Sequence, residues 1–138
     1  MKTENIVYGD VILAIIMYKE TVPPGVRFFT SDDNPLQVGK QLRPKGVIIA
    51  PHMHCPVMTD CRQGFLQEVL YIEKGKLKVN FYDANGNLIV FKILQAGDTI
   101  LLISGGHGFE VLEEVQMLEV KMGPYDPASK KNLEVRQS

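Results

Sequence analysis

Three histidines are all the imidazole this 138-residue chain has, and they stand in two places: His52 and His54 on either side of Met53, and His107 between Gly106 and Gly108. Consecutive side chains of a strand point to opposite faces, so His52 and His54 project from one face with Cα atoms roughly 7 Å apart. Neutral ring nitrogens are good ligands for Fe, Ni, Cu or Zn, and two imidazoles converging on one face suit a transition metal. The same spacing also fits a solvated pair at the end of a strand. Cys55 follows His54 directly, and Cys61 is the only other cysteine. Thiolates bind soft metals tightly. Yet Cys55 has the opposite strand parity to His54, and the expectation is two free thiols. Arg43 and Arg62 carry planar guanidinium forks that match a carboxylate or phosphate bidentately, which makes them the candidates for holding an anionic group of a substrate. No phosphate-cradling loop of the G-x-x-x-x-G-K-S/T or G-x-G-x-x-G type occurs, and no serine sits in a nucleophile elbow.

These residues need elements to position them, and the punctuation shows which. Pro23-Pro24-Gly25, Pro44-Lys45-Gly46, Lys74-Gly75, Asn85-Gly86, Gly97-Asp98 and Gly105-Gly106 divide the chain into short runs rich in Val, Ile, Leu, Phe and Tyr. Leu77, Val79 and Phe81 alternate with Lys78 and Asn80, and Ile89, Phe91 and Ile93 repeat the period beyond Asn85-Gly86. That dipeptide predicts a hairpin with a type I′ turn, since both residues tolerate positive φ. Leu118, Val120 and Met122 alternate with Glu119 and Lys121 in a last strand. Val11 to Tyr18 is apolar at nearly every position, which predicts a strand covered on both faces, one cover coming from a second subunit. No apolar stripe with helical period lasts three turns. Short strands at this spacing predict a β-sandwich or barrel. From Gly123 onward the residues read as a polar tail or one short helical turn, with Lys130 and Lys131 as solvated charges.

Composition excludes several classes. The chain is 45% hydrophobic and 22% charged, which is globular rather than disordered. Fifteen basic against sixteen acidic residues give a net charge of −1, so no nucleic-acid partner is expected. The apolar run at Val11 is too short for a bilayer that needs about 20 residues, so no membrane partner is expected either. Charged residues flank that run and no small-residue cleavage site follows it, so the expected location is the cytoplasm.

The spacing around the histidines resembles the cupin superfamily. Gly46 precedes His52 with five residues between, and Glu68 precedes Gly75 with six between; Gly97, an apolar strand over 99–103 and His107 follow. The resemblance covers residues 36–122. It departs from the family pattern in the long stretch 55–67 between His54 and Glu68, in the missing proline before His107, and in Val111 where an asparagine is usual. What it implies is an all-β fold: a single-domain cupin jelly-roll barrel, or double-stranded β-helix. Its segments would be N-terminal strands with a dimer contact over 1–35, the barrel over 36–122 and a polar tail over 123–138. It also implies one divalent metal (Fe, Mn, Ni or Zn) inside the barrel, held by His52, His54, Glu68 and His107. The stretch after His54 then becomes a loop at the barrel mouth, where Pro56, Asp60 and Arg62 face the entrance. The function implied is an enzyme of isomerase, lyase or dioxygenase type acting on a small polar molecule, working as a homodimer. The alternatives are a non-catalytic cupin that binds or senses a small ligand and, less favoured, a metal-independent sugar-nucleotide epimerase.

Overall fold

The structure is a computed structural model that describes residues 3–54, 56–59 and 62–136, and within 56–65 the backbone strands alone. Its strands are β1 (Thr3–Tyr8), β2 (Val11–Met17), β3 (Gly25–Phe28), β4 (Leu36–Arg43), β5 (Ile48–His54), β6 (Pro56–Thr59), β7 (Arg62–Phe65), β8 (Glu68–Tyr82), β9 (Leu88–Gln95), β10 (Thr99–Leu102), β11 (Gly106–Met122) and β12 (Lys130–Asn132). A single 3₁₀ turn, Pro127–Ser129, has Asp126 as its cap. No helix among the described residues is long and apolar enough to cross a membrane.

Two long antiparallel strands, β8 and β11, belong to both layers of the barrel. The first half of β8 pairs with the second half of β11, and that ladder is flanked by β10 on one side and by β4 and β3 on the other. The second half of β8 pairs with the first half of β11, flanked by β9 on one side and by β5 and β12 on the other. Leu70, Ile72, Leu77, Val79, Val115 and Met117 fill the space between the layers and are almost wholly buried. Complete burial of such a side chain contributes about 2 kcal/mol.

The inward parity of β8 changes along its length. Leu70 and Ile72 point in, and so do Leu77 and Val79. The switch happens at Gly75, opposite a register shift between Glu113 and Gln116 of β11. Gly75 has φ +87°, and a Cβ there would stand 1.9 Å from the Glu114 carbonyl oxygen. Only glycine lets the two strands bend together at this corner. Glu68 shares the inward parity of Leu70, whereas Tyr71 is exposed.

One sequence expectation needs correction. The β8–β9 hairpin forms, but its turn is not type I′. Gly86 has positive φ (84°), and among the described residues no non-glycine residue does. A longer loop is held instead by the Asp83 carboxylate, whose Oδ1 accepts the N–H groups of Asn85 and Asn87, both at 2.9 Å. Local side-chain bonding of this kind competes with tight-turn geometry. The apolar run at Val11 is expected to draw one of its covers from a second subunit. It forms β2 and pairs with β1 in a separate two-stranded sheet, yet Val11, Ile12 and Leu13 are 60%, 54% and 63% exposed, so the single chain does not cover both faces.

The segment after that hairpin is tied down. The Gln116 side chain donates to the Glu20 carbonyl and accepts from the Val22 N–H, at 2.9 and 3.0 Å. It also bonds Glu73, whose other oxygen meets the buried Lys40 ammonium at 2.8 Å. A charge buried that far needs such a partner.

The Gly75 corner predicts a graded effect. Gly75→Ala should lower stability by about 2 kcal/mol or more, because both φ and the Glu114 backbone oppose it. Gly46→Ala, at similar φ but with open space around it, should cost only about 1 kcal/mol. Urea unfolding of the two variants beside the parent checks the difference, and equal losses would refute the clash.

Candidate metal centre

β5 carries His52 and His54 on one face, and His107, the second residue of β11, pairs directly across from His52. Cross-strand partners hold their Cβ atoms about 5 Å apart, which brings the third imidazole to the first two. The ring centroids are 5.3 Å apart for His52–His54, 4.5 Å for His52–His107 and 5.3 Å for His54–His107. One ligand nitrogen from each lies within 4.8 Å of the others, the only such group among the described residues. His52 and His107 are buried and His54 half-buried.

The nitrogens are prepared for an acceptor role. His52 Nδ1 lies 2.8 Å from the Ala50 carbonyl, so it carries the proton and leaves the Nε2 lone pair free. Burial pushes the His107 imidazole down to about 4, with neighbouring His52 acting in the same direction. His52 is also lowered, by burial first. Both rings are therefore neutral at physiological pH. The Nε2 atoms of His54 and His107 are buried and have no hydrogen-bond partner.

Glu68, at the start of β8, reaches the same place. Its Oε2 is 3.2 Å from His54 Nε2, close enough to attract although Nε2 is left without a hydrogen bond. Burial would raise the Glu68 carboxyl, but contact with His54, a hydrogen bond from Glu119 and the neighbouring imidazoles hold it below the usual carboxylate range. Glu119 bears the opposite consequence: burial, then the charge of Glu68, pushes it up to about 8. The two carboxyls thus share a proton that resides on Glu119. Gln41 donates to Glu119 Oε2 at 3.1 Å, and Arg43 Nε donates to Gln41 Oε1 at 3.1 Å.

The fold therefore gathers His52, His54, His107 and Glu68, and places Arg43 on the wall of the same cavity. Arg62 lies in β7, which pairs with β6 in a short ribbon leaving the barrel just after His54 and returning just before Glu68. Its side chain, like that of Pro56, lies outside the described residues, as do Cys55, Asp60 and Cys61. Four polar residues of the cavity escape the sequence reading: Gln41, Glu119, Lys121 and Lys130. In β11 the alternation of Leu118 and Val120 suggests an apolar inner face. The inner face is instead Met117, Glu119 and Lys121, and the apolar residues face outward. Lys130 comes in because β12 pairs with β5, setting it opposite His54.

No protein-family model matches the chain, and no curated protein matches it by sequence. Solved structures match it in shape. Oxalate decarboxylase from Bacillus subtilis superposes with a TM-score of 0.57 at 22% identity, over 72% of this chain and 24% of that one. A second structure of that protein is described for its Mn(II) centers. A cupin-2 domain containing protein from Shewanella frigidimarina gives a TM-score of 0.53 at 18% identity, over 72% of this chain and 80% of that one. An uncharacterized conserved protein with a double-stranded beta-helix domain from Klebsiella pneumoniae gives 0.58 at 16%, over 85% and 90%. The chain spans about a quarter of the decarboxylase's length. At these identities the likeness is one of fold: the chain has a cupin fold, as the spacing of its histidines and glycines implied.

His107 makes the metal-free protein pH-sensitive in a defined direction. Its imidazole binds a proton at about 4 when folded and at about 6.5 when unfolded. The unfolded chain takes up the proton first, so stability is full above pH 6.5 and falls as pH drops toward 4, by up to about 3 kcal/mol. His107→Gln should flatten that part of the profile. Urea midpoints at pH 7.5 and 5 for parent and variant, both metal-stripped, read the difference, and identical slopes would overturn it.

Proposed function

We propose that this protein is a metal-binding cupin that holds one divalent transition metal through His52, His54, His107 and Glu68, and that it is an enzyme acting on a small polar metabolite. The observation that carries the reading is the pair of buried, unpartnered Nε2 atoms on His54 and His107. A buried polar atom left unpaired costs about 1–3 kcal/mol, and a cation among the three rings removes both deficits. Neutral, lone-pair-bearing imidazoles with one ionised carboxylate form a donor set that Fe, Mn, Ni and Zn all accept. The Mn(II) centers described for the decarboxylase of similar fold support a divalent ion.

The bound ion would supply Lewis-acid polarisation of a substrate oxygen. The chain's own residues do the rest. Ala50 fixes the His52 tautomer. Glu119, protonated near neutral pH, donates to Glu68 and keeps it an acceptor. Gln41 holds Glu119 in place, and Leu70, Phe109 and Met117 give the cavity an apolar floor. Arg43 stands ready for an anionic group, and Arg62, in β7, is the second candidate for that role. Isomerase, lyase and dioxygenase chemistries all fit such a site.

The protein acts as a homodimer in this reading. An isolated two-stranded hairpin is marginal in water, and β1–β2 leaves Val11, Ile12 and Leu13 uncovered. A groove between that hairpin and residues Phe29–Val38 is lined by Ile12, Leu13, Ile15, Met17, Leu36 and Val38, and a second copy's hairpin closes it.

Two measurements check these statements. Elemental analysis of the purified protein should find one divalent ion per chain, and His52→Ala/His54→Ala should reduce it below a tenth of that. Full occupancy in the double variant would sink the ligand set. Light scattering at micromolar concentration should give about twice the 15.5 kDa chain mass; a monomer would remove the dimer.

A further inference from the structure

The cavity beside the histidines is not charge-neutral. It has a volume of about 180 Å³, and its walls include Arg43, Lys121 and Lys130 as well as His52, His54 and Glu68. A second cavity, also about 180 Å³, lies under residues 124–127 and shares His54, Lys121 and Lys130 with the first. The two lysines therefore stand where both spaces meet, beside the imidazole that faces Glu68.

These cations are placed by backbone, and of the three only Lys121 is ion-paired to a protein acid among the described residues. Lys130 is set by the β5–β12 ladder, opposite His54, and among the described residues no carboxylate lies within salt-bridge distance of it. Lys121 projects inward from β11 with its ammonium 4.6 Å from the Phe28 ring centroid. Its acidic neighbour, Glu119 Oε1, is 3.8 Å away, the longest ion-pair distance among the described residues. Arg43 uses Nε on Gln41, and its terminal nitrogens carry no ion pair among the described residues. Among the described residues the acids on the same wall are Glu68 and Glu119, and Asp126 lines the adjoining cavity. Three cations exceed two carboxylates even if both are ionised, and a divalent ion at the histidines enlarges the excess. A concave site of one sign concentrates ligands of the other.

We infer that the cavity takes a short-chain carboxylate with a second oxygen donor, one end at the histidine cluster and the carboxylate at Lys121, Lys130 and Arg43. The inference rests on the metal-binding reading above and narrows its substrate to an anionic one. Size is compatible: about 180 Å³ accommodates a molecule of a few carbons, one water taking about 30 Å³ in the liquid. Guanidinium and ammonium groups supply the forked and point-charge contacts that a carboxylate needs.

Malonate is the probe, with malonamide as its uncharged counterpart, each titrated calorimetrically into metal-loaded and metal-stripped protein whose metal content is measured separately. Malonate should bind one per chain, and malonamide at least tenfold more weakly. Lys130→Gln and Lys121→Gln should each weaken malonate at least fivefold in both metal states. Lys130→Arg should stay within threefold of the parent, which separates loss of charge from loss of fold, and Lys131→Gln should not differ from it. Equal affinity for malonate and malonamide, or unchanged binding in both glutamine variants, would overturn the inference. So would absence of malonate binding by protein that retains its metal, and that result would leave the metal site standing. Protein that takes up no metal when loaded yet binds malonate through the two lysines would do the reverse.

Discussion

The register of the β5–β11 ladder, which sets His107 across from His52, is the constraint on which the site depends. Side chains alternate with a period of two, so a slip of one residue would turn His107 to the outer face and leave two imidazoles without a third. The register is not set locally. It follows from the length of β11, which runs from the site through the Gly75 corner into the opposite layer, where Met117 and Val115 lock it into the core. Core packing and site assembly are thus one event, and the corner glycine is as much a part of the site as any donor atom.

Placing ionisable groups inside the barrel has an electrostatic cost, and the distribution of protons offsets it. Burial disfavours charge on every group in the cluster. His52 and His107 respond by staying neutral, Glu119 by keeping its proton, and Glu68 stays ionised because Glu119 donates to it and His54 lies against it. The outer face handles its one deeply buried charge differently, by pairing Lys40 with Glu73. Inside, two nitrogens are left open; outside, every member of the network is matched.

How much of this could be read from the chain divides along physical lines. The shared face of His52 and His54 follows from strand parity, and the motif spacing carried Glu68 and His107 with them. The β8–β9 hairpin was legible, but its turn geometry was not, because the Asp83 side chain substitutes for part of the backbone bonding. Glu119 and Lys121 were missed because alternation in β11 assigns the apolar residues to the core, whereas a barrel that encloses a polar cavity inverts that pattern locally. Lys130 was missed for a different reason. A three-residue strand has too little pattern to announce itself, and its partner lies far away in sequence.

The shortness of β12 has a kinetic consequence. Local opening in a folded protein spans a wide range of free energies, with exposed edge segments at the low end and core strands at the global limit. All of β12 is exposed, and it pairs only with β5, whereas His107 sits in a strand bonded on both sides. The two ends of the cavity therefore keep different clocks. His107 rearranges only when the domain does, while β12 can fray and re-form many times in between, baring the edge of β5 beside His52 and His54 without breaking the ladders that hold His107.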